Sequence, residues 1–296
     1  MEDKSYMEYK VCTPRDPRFV QMLVDEYNNT NISLHDLSKK YHTDAGYQFR
    51  IHNIPKRDGG LQKSLTRTNC ITLNWNFESI ETEEQAYIAG LLFADGYISH
   101  MQIGLRLKKS DKELLLKVKN YFSSDIKVQE NSAAYGFVIS SDIACKNLEQ
   151  LGKVKTGEPI HIPQMDKSLV RHFIRGYFDG DGTIFVCNNN NIKFFKSNIC
   201  CVTTNILEEI QKLLQENNIY STINKENRKG KTMKIPEGTC VCSFDMYRLF
   251  VRKKDSIEKF YHYLYDDCNI FMERKRKVFE DNQELFTYLK PRKIPS

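Results

Sequence analysis

The sequence lacks any uninterrupted run of about 18 apolar residues, and no apolar segment opens it. It therefore predicts neither a membrane-spanning helix nor a secretory signal peptide. Its nine cysteines form no Cys-x-x-Cys pair, and their number is odd. A disulfide framework and the usual zinc spacings are therefore not expected. These absences favour a soluble, intracellular protein with reduced thiols.

Apolar residues are abundant enough for real cores. The 296 residues are 40% hydrophobic and 11% aromatic, which suits a globular chain of about two domains. The net charge of +6 is compatible with a polyanionic partner but does not identify one.

Residues 1–68 are expected to form a small helical unit followed by a linker. Apolar residues at near-helical spacing predict a first helix over 16–28, and Ser33 is placed to cap a second. A polar break at 42–43 precedes a third helical stretch over 44–52. Two short helices across a tight turn are typical of a helix-turn-helix, although an ordinary helical hairpin gives the same pattern. The candidate DNA-binding residues of this unit are Arg50, Lys56 and Arg57.

From residue 69 onward the chain repeats itself. An apolar helix, two strands, an amphipathic helix, two more strands and a closing helix are predicted twice in succession. The expected boundaries are 69–165 for the first half and 166–296 for the second. In the second half, the last two predicted elements are a strand over 239–244 and a helix over 246–265. The sequence thus predicts an α+β fold of two pseudo-symmetric αββαββα halves, preceded by the small all-α unit.

The most specific feature is the repeated ending of the first helix in each half. IAGLLFADG (residues 88–96) and IRGYFDGDG (residues 174–182) align without a gap, which matches Gly90 with Gly176 and Asp95 with Asp181. Glycine inside a helix costs about 1 kcal/mol relative to alanine but permits close approach of another backbone. The two helices are therefore expected to pack side by side.

This packing would bring two carboxylates together at the helix ends. An aspartate at a helix C-terminus faces the negative end of the helix dipole, and two neighbouring carboxylates repel each other. A divalent cation turns this arrangement into a binding site, and carboxylate and water ligands suit Mg²⁺ or Mn²⁺. Metal ions between attacking and leaving oxygens are a known arrangement for phosphodiester hydrolysis.

The two segments resemble the paired LAGLIDADG motifs of single-chain homing endonucleases, and the similarity extends over roughly residues 70–290. The resemblance implies that the strands form a saddle over the DNA major groove and that the motif helices form the interface between the halves. It also implies that the last acidic residue of each motif, here Asp95 and Asp181, binds metal. Phe93 replaces an aspartate that the second copy keeps as Asp179, at a position that varies in the family and does not bind metal.

Further site residues follow from the same resemblance. Ala94 and Gly180, which precede the two aspartates, complete the expected metal-binding set. One basic residue per half would polarise solvent or the scissile phosphate. Lys155 is the candidate in the first half, with Lys153 as a near alternative. In the second half Lys275 is favoured over Arg274, and a charged run on a solvated helix is the competing interpretation.

The strands of this family read DNA, so polar residues at alternate strand positions are candidate contacts. A basic segment over 224–234 is a further candidate, although an ordinary mobile loop would look the same. The predicted DNA-binding residues of this part of the chain are Gln102, Arg106, Lys108, Lys193, Lys196, Asn198, Arg228, Lys229 and Lys231.

The sequence as a whole predicts a monomeric, site-specific endonuclease of a mobile element that cuts double-stranded DNA with Mg²⁺. Two alternatives use the same fold. One is a transcriptional regulator that binds DNA without cleaving it. The other is an intron maturase that binds RNA. Regulators of this type usually lose the motif acids, and both acids are present here.

Overall fold

A computed structural model describes residues 14–30, 32–56, 72–99, 101–235 and 238–286. The chain divides into two compact units, Met1–Ile71 and Thr72–Ser296. In the part of the chain that is described, no helix is long and apolar enough to span a membrane.

Within its described residues, the N-terminal unit contains the helices α1 (Pro17–Asn29), α2 (Leu34–Lys40) and α3 (Ala45–Ile51). An oxygen-bearing side chain caps the start of each: Asp16 for α1, Ser33 for α2 and Asp44 for α3. Such caps satisfy backbone N–H groups that have no partner inside the helix. Among the described residues, the core of the unit is built around a cluster formed by Leu23, Tyr27, Leu37, Ala45 and Phe49.

The second unit contains the two repeated halves. The elements of the first half are α4 (Glu83–Asp95), β1 (Gly96–Ser99), β2 (Gln102–Lys108), α5 (Lys112–Phe122), β3 (Gln129–Glu130), β4 (Ala134–Ser140) and α6 (Asp142–Gln150). Those of the second half are α7 (Lys167–Asp181), β5 (Gly182–Asn189), β6 (Ile192–Cys201), α8 (Asn205–Glu216), β7 (Thr222–Glu226), β8 (Thr232–Ile235), β9 (Gly238–Val241), β10 (Met246–Val251), α9 (Lys254–Tyr265) and α10 (Glu273–Glu280).

The two halves share one sheet topology. Their antiparallel sheets have the orders β1-β2-β4-β3 and β5-β6-β10-β7, so β10 is the counterpart of β4. The register matches as well, because Gly96 pairs with Leu105 in the first sheet and Gly182 pairs with Ile199 in the second. The predicted fold class, two αββαββα halves with an N-terminal helical region, is confirmed.

One predicted strand lies elsewhere. Residues 239–241 form a strand, as expected, but it belongs to the separate β8–β9 hairpin. The fourth strand of the second sheet is β10, over residues that the sequence assigned to a helix. In β10, Leu249 and Val251 are buried while Phe250 between them is half-buried, which is the two-residue alternation of a strand.

Two glycines set the contact between α4 and α7. A Cβ atom added to Gly90 would lie 2.1 Å from the carbonyl oxygen of Phe173, and one added to Gly176 would lie 2.0 Å from that of Tyr87. Both distances are far below a permitted contact, so each helix presses its backbone against the glycine of the other. The core is continuous through both halves around this contact.

Gly90→Ala and Gly176→Ala should therefore destabilise the second unit, each by about 3 kcal/mol or more, because the backbone atoms they meet cannot move aside. Chemical denaturation followed by circular dichroism measures the effect. Gly46→Ala in α3 is the control, since its Cβ would meet only a side-chain oxygen of Asp44 at 3.3 Å. A fully stable Gly90→Ala variant would contradict the close helix contact.

Candidate active site at the ends of two helices

Asp95 and Asp181 are the last residues of α4 and α7. After each aspartate the backbone leaves the helix through a glycine in an extended conformation, Gly96 or Gly182, which begins the first strand of its half. The two acids therefore occupy equivalent positions. A Cβ atom at Gly180 would lie 3.3 Å from Oδ2 of Asp95, so the Asp95 carboxylate lies beside the residue that precedes Asp181.

The two acids lie close enough for the charge of one to affect the pKa of the other. Burial, which is the larger cause, and the charge of Asp95 together raise the pKa of Asp181 to about 6. Desolvation likewise raises the pKa of Asp95, while Lys275, Arg274 and Lys153 act in the opposite direction. Two carboxylates at the negative ends of two helices are thus held in a site that disfavours their charge.

Lys275 caps α7. Its Nζ donates hydrogen bonds to the carbonyl oxygens of Phe178 at 2.7 Å, Asp179 at 2.6 Å and Gly182 at 2.6 Å, with Gly180 more distant at 3.3 Å. Burial lowers the pKa of this ammonium to about 8. Its three hydrogens are committed to the helix end, so Lys275 acts on the aspartates through its charge and through the backbone that it holds.

Lys153 takes the equivalent place in the first half. Its Nζ donates to the carbonyl oxygen of Phe93 at 2.9 Å, and Phe93 aligns with Asp179. Burial lowers its pKa to about 8 as well. Lys155, the residue favoured by sequence, is exposed on the same segment, and its backbone N–H donates to Glu158 Oε2 at 3.2 Å. The alternative candidate, Lys153, is therefore the one that reaches the helix end.

A cleft lies on each side of the two acids. Asp95 and Lys275 line one of about 530 Å³, and Asp181 and Lys153 line one of about 270 Å³. Each cleft therefore combines the aspartate of one half with a lysine that caps the helix of the other half. A phosphate in either cleft would meet both a carboxylate and a cation.

The cleft of Asp95 contains an ion pair between Arg274 and Asp111. Nε of Arg274 donates to both carboxylate oxygens of Asp111, at 3.0 and 2.9 Å. Asp111 is buried at the start of α5, so this pair joins the second half to the first. Both residues line the cleft of Asp95.

Asp179 has a structural role that the sequence did not reveal. Its fully buried carboxylate accepts hydrogen bonds from the Tyr87 hydroxyl at 2.8 Å, the Tyr265 hydroxyl at 2.8 Å and the Met272 backbone N–H at 2.7 Å. These donors come from α4, from the end of α9 and from the segment before α10. Only the retention of an acid at this position in the second motif could have indicated such a centre.

A second buried network surrounds Arg175, whose side chain has no exposed surface. Its guanidinium donates to Glu83 Oε1 at 2.7 Å and to the carbonyl oxygens of Leu264 at 3.1 Å and Ile270 at 3.0 Å. Burial and the charge of Arg175 lower the pKa of His172 to about 4, which leaves the neutral imidazole to accept from Arg175 at 2.6 Å. The network joins α7 to the first residue of α4.

The predicted strand residues of the first half share one face. Gln102, Arg106 and Lys108 alternate along β2 with the buried Ile103, Leu105 and Leu107. All three therefore point away from the helices. Nε2 of Gln102 donates to Oγ of Ser140 at 3.0 Å on the neighbouring strand.

In the second half only two of the three predicted strand residues share that face. Lys196 and Asn198 lie on the open face of β6, whereas Lys193 has the parity of the buried Phe195 and Ser197. Lys193 therefore lies on the opposite face from its two companions, which corrects the grouping expected from the sequence. Asn198 is itself buried, and its Oδ1 accepts from Arg248 at 2.9 Å.

The remaining predicted contacts lie in two other places. Arg228, Lys229 and Lys231 precede the β8–β9 hairpin, and Asp245 Oδ1 accepts from the backbone N–H groups of Arg228 at 2.9 Å and Lys229 at 3.0 Å. This segment is therefore a structured turn. Arg50 and Lys56 belong to the N-terminal unit, and Arg57 falls outside the described residues.

The donor atoms at the site fit a hard divalent cation. Within the described residues no group of three or more His, Cys, Asp or Glu side chains could hold a metal, so the site offers two carboxylates and neighbouring backbone carbonyls. Mg²⁺ commonly binds through one or two carboxylates while keeping waters and substrate phosphates as its other ligands. Ala94 and Gly180 could contribute only backbone oxygens.

The chain is similar to several known proteins. A family model described as LAGLIDADG-like domain matches residues 82–133 and 168–265. The chain is 25% identical over 232 residues to the ribonucleoside-diphosphate reductase NrdEB subunit alpha of Bacillus subtilis, which covers 67% of this chain and 21% of that protein. It is 24% identical over 253 residues to an uncharacterized protein of Methanocaldococcus jannaschii, which covers 80% of this chain and 84% of that protein.

Among solved structures, the chain is similar to the LAGLIDADG homing endonuclease I-GzeII in complex with its DNA target. The TM-score is 0.47 at 11% identity, covering 68% of this chain and 92% of that one. Of the curated relatives, the reductase subunit is matched over only about a fifth of its length.

The raised pKa of Asp181 gives a stability prediction. Its folded-state pKa of about 6 lies above the ordinary value of 3.8, so the native state binds the proton more tightly and loses stability as pH rises through this window. Asp181→Asn should therefore be more stable than the wild type by about 2 kcal/mol at pH 7.5 without metal, and equal to it near pH 4.

Denaturant melts in EDTA at the two pH values measure this difference. Asp267→Asn, at an exposed position, is the matched control and should show no such pH-dependent gain. An Asp181→Asn variant that is less stable than the wild type at pH 7.5 would contradict the electrostatic strain inferred at the helix ends.

Proposed function

The chain belongs to the LAGLIDADG family, and we propose that it is a site-specific endonuclease that hydrolyses both strands of duplex DNA. The observation that carries the proposal is the pair Asp95 and Asp181 at the ends of two helices in backbone contact. The charge of one acid raises the pKa of the other, as expected of a site that binds divalent cations.

Each aspartate would contribute carboxylate oxygens to a divalent metal, Mg²⁺ or Mn²⁺. A bound divalent metal supplies Lewis acidity at the scissile phosphate and a more acidic water as nucleophile. The chain itself fixes where this chemistry takes place. Because the last turns of α4 and α7 are tied by Lys153 and Lys275, the carboxylates are preorganised and require little rearrangement when substrate arrives.

The two lysines have different proposed roles. Lys275 is a positioning residue, because its hydrogens are taken by backbone carbonyls. Lys153 donates to one carbonyl and lines the cleft of Asp181, where its ammonium would stabilise the charge that develops on the phosphate. Arg274, fixed by Asp111, would serve in the cleft of Asp95.

The open faces of the two sheets are the proposed DNA-binding surface. Gln102, Arg106 and Lys108 of β2 and Lys196 of β6 lie on these faces. Arg106 and Lys108 also line the cleft of Asp95, so the strand face and the acidic site are continuous. Strands fit the major groove, where base edges carry a full hydrogen-bonding code. Arg228, Lys229 and Lys231 would add phosphate contacts beyond the sheet.

The N-terminal unit is a second proposed DNA-binding module. Its helices α2 and α3 are joined by a short turn over residues 41–44, as in a helix-turn-helix. Arg50, in the last turn of α3, is exposed and would contact the phosphate backbone.

The biological setting that we propose is a mobile element whose endonuclease cuts a target site that lacks the element. The match to about a fifth of a reductase subunit supports this setting, because a similar segment occurs there within a much longer protein. The presence of both motif acids favours cleavage over a purely regulatory role.

Asp95→Asn and Asp181→Asn should each lower the rate of DNA cleavage by about 100-fold or more, because a neutral amide binds a divalent cation poorly. Single-turnover cleavage of a cognate duplex in Mg²⁺ measures the loss. Asp181→Asn is expected to remain folded, so its defect is chemical. Retained binding in a gel shift in EDTA is the control, and a variant that cuts at the wild-type rate would overturn the assignment.

Lys153→Met should slow cleavage by about 10- to 100-fold, because the apolar stem is kept while the cation beside Asp181 is lost. Lys155→Met is the matched variant on the same segment and should lose much less. Single-turnover rates measure both effects, and melting temperatures show that both variants fold. A larger loss for Lys155→Met than for Lys153→Met would instead favour Lys155, the residue expected from the sequence.

A further inference from the structure

Two phenylalanines on the second sheet are exposed to solvent. Phe185 of β5 is 44% exposed and Phe194 of β6 is 37% exposed. In the strand register Phe185 lies opposite Lys196, and Phe194 lies opposite Cys187. We call Phe185, Cys187 and Phe194 the apolar strand patch.

The patch lies on the open face of the sheet. The next residue on β6, Phe195, points to the other face. There its ring centroid lies 5.6 Å from the ring centroid of Phe279 and 5.3 Å from that of Phe286. Successive strand residues point to opposite faces, so Phe194 faces away from the helices. On the same face, Phe250 is covered by the guanidinium of Arg252 at 3.9 Å, whereas Ile192 at the start of β6 is 68% exposed and extends the apolar surface beside the patch.

The patch continues the surface that carries the acidic site. Thr183, two residues before Phe185 and on the same face, lines the cleft of Asp95 together with Arg106 and Lys108. A duplex lying across this cleft and along β5 would therefore meet Phe185 next. Lys196, opposite Phe185, would anchor a phosphate of the same duplex.

The equivalent place in the first half is polar. The matched registers of Gly96 and Gly182 make Ser99 the counterpart of Phe185 and Gln102 the counterpart of Lys196. Gln102 is hydrogen-bonded to Ser140 at 3.0 Å. At this register position the two halves therefore present different chemistry, although Tyr97, two residues earlier, is also 38% exposed and lies across Gly104.

Duplex DNA offers one apolar group to a surface in its major groove, the C5-methyl group of thymine. We propose that Phe185 and Phe194 contact thymine methyl groups, so that the flank of the target bound by the second half is selected for thymine. This inference rests on the proposed function, because it requires that the open strand face bind duplex DNA.

Deoxyuridine tests the proposal, since it lacks only the methyl group of thymidine. The full chain first selects a bound duplex from a random pool in EDTA. All thymines of one flank or of the other are then replaced by uracil, and affinities are measured by titration. The wild type should lose about fourfold in affinity for each contacted methyl group, on one flank only.

The double variant Phe185→Ser/Phe194→Ser removes both rings and leaves no methyl group that could contact thymine. It should bind the thymine duplex more weakly than the wild type and no longer distinguish thymine from uracil on that flank. Val241→Thr removes another exposed apolar side chain, in the β8–β9 hairpin, and should leave the discrimination intact.

Several outcomes would overturn the proposal. A wild type that binds and cuts its duplex but ignores uracil on both flanks would overturn this inference alone. So would a double variant that still discriminates like the wild type, or light scattering that shows a dimer dissociated by the two substitutions. Selection of no duplex at all would overturn both this inference and the proposed function.

Discussion

Backbone contact between α4 and α7 is the constraint on which the second unit depends. At Gly90 and Gly176 there is no room for a side chain, so the two helix backbones are in direct contact. This contact fixes the relative position of the helix ends, and each helix end is also the start of a sheet. The acids and the two strand faces are thereby placed by one pair of residues without a Cβ atom.

The second feature is the balance of charge around those helix ends. Two carboxylates and two helix C-termini gather negative charge in one place, and burial makes this unfavourable. Lys275, which is buried, and Lys153, which is half-buried, offset it from opposite sides, and desolvation lowers the pKa of each to about 8. Both lysines donate hydrogen bonds to backbone carbonyl groups at the helix ends. They therefore stabilise the site while the carboxylates stay available to a cation.

Much of the fold could be read from the sequence, because a gapless repeat of nine residues imposes the same helix, the same exit and the same strands twice. The orientation of side chains on loops and strand faces was harder to predict. Lys153 and Lys155 differ by two residues on an irregular segment, where no periodicity tells which side chain turns inward. Lys193 was grouped with Lys196 although residues three apart on a strand lie on opposite faces. The β8–β9 hairpin, inserted before β10, displaced the expected last strand. The structural role of Asp179 could not be predicted, because its hydrogen-bond donors come from three distant segments.

Arg175 and Glu83 show that the two halves are not equivalent. The guanidinium belongs to a helix of the second half, yet its carboxylate partner, Glu83, begins the first helix of the first half. Phe93, in turn, stands where Asp179 gathers its donors in the other copy. Each half depends on groups that the other supplies, so the two halves are not interchangeable modules. A chimera that joins the second half to a foreign partner leaves Arg175 as an unpaired buried charge unless the partner supplies a carboxylate.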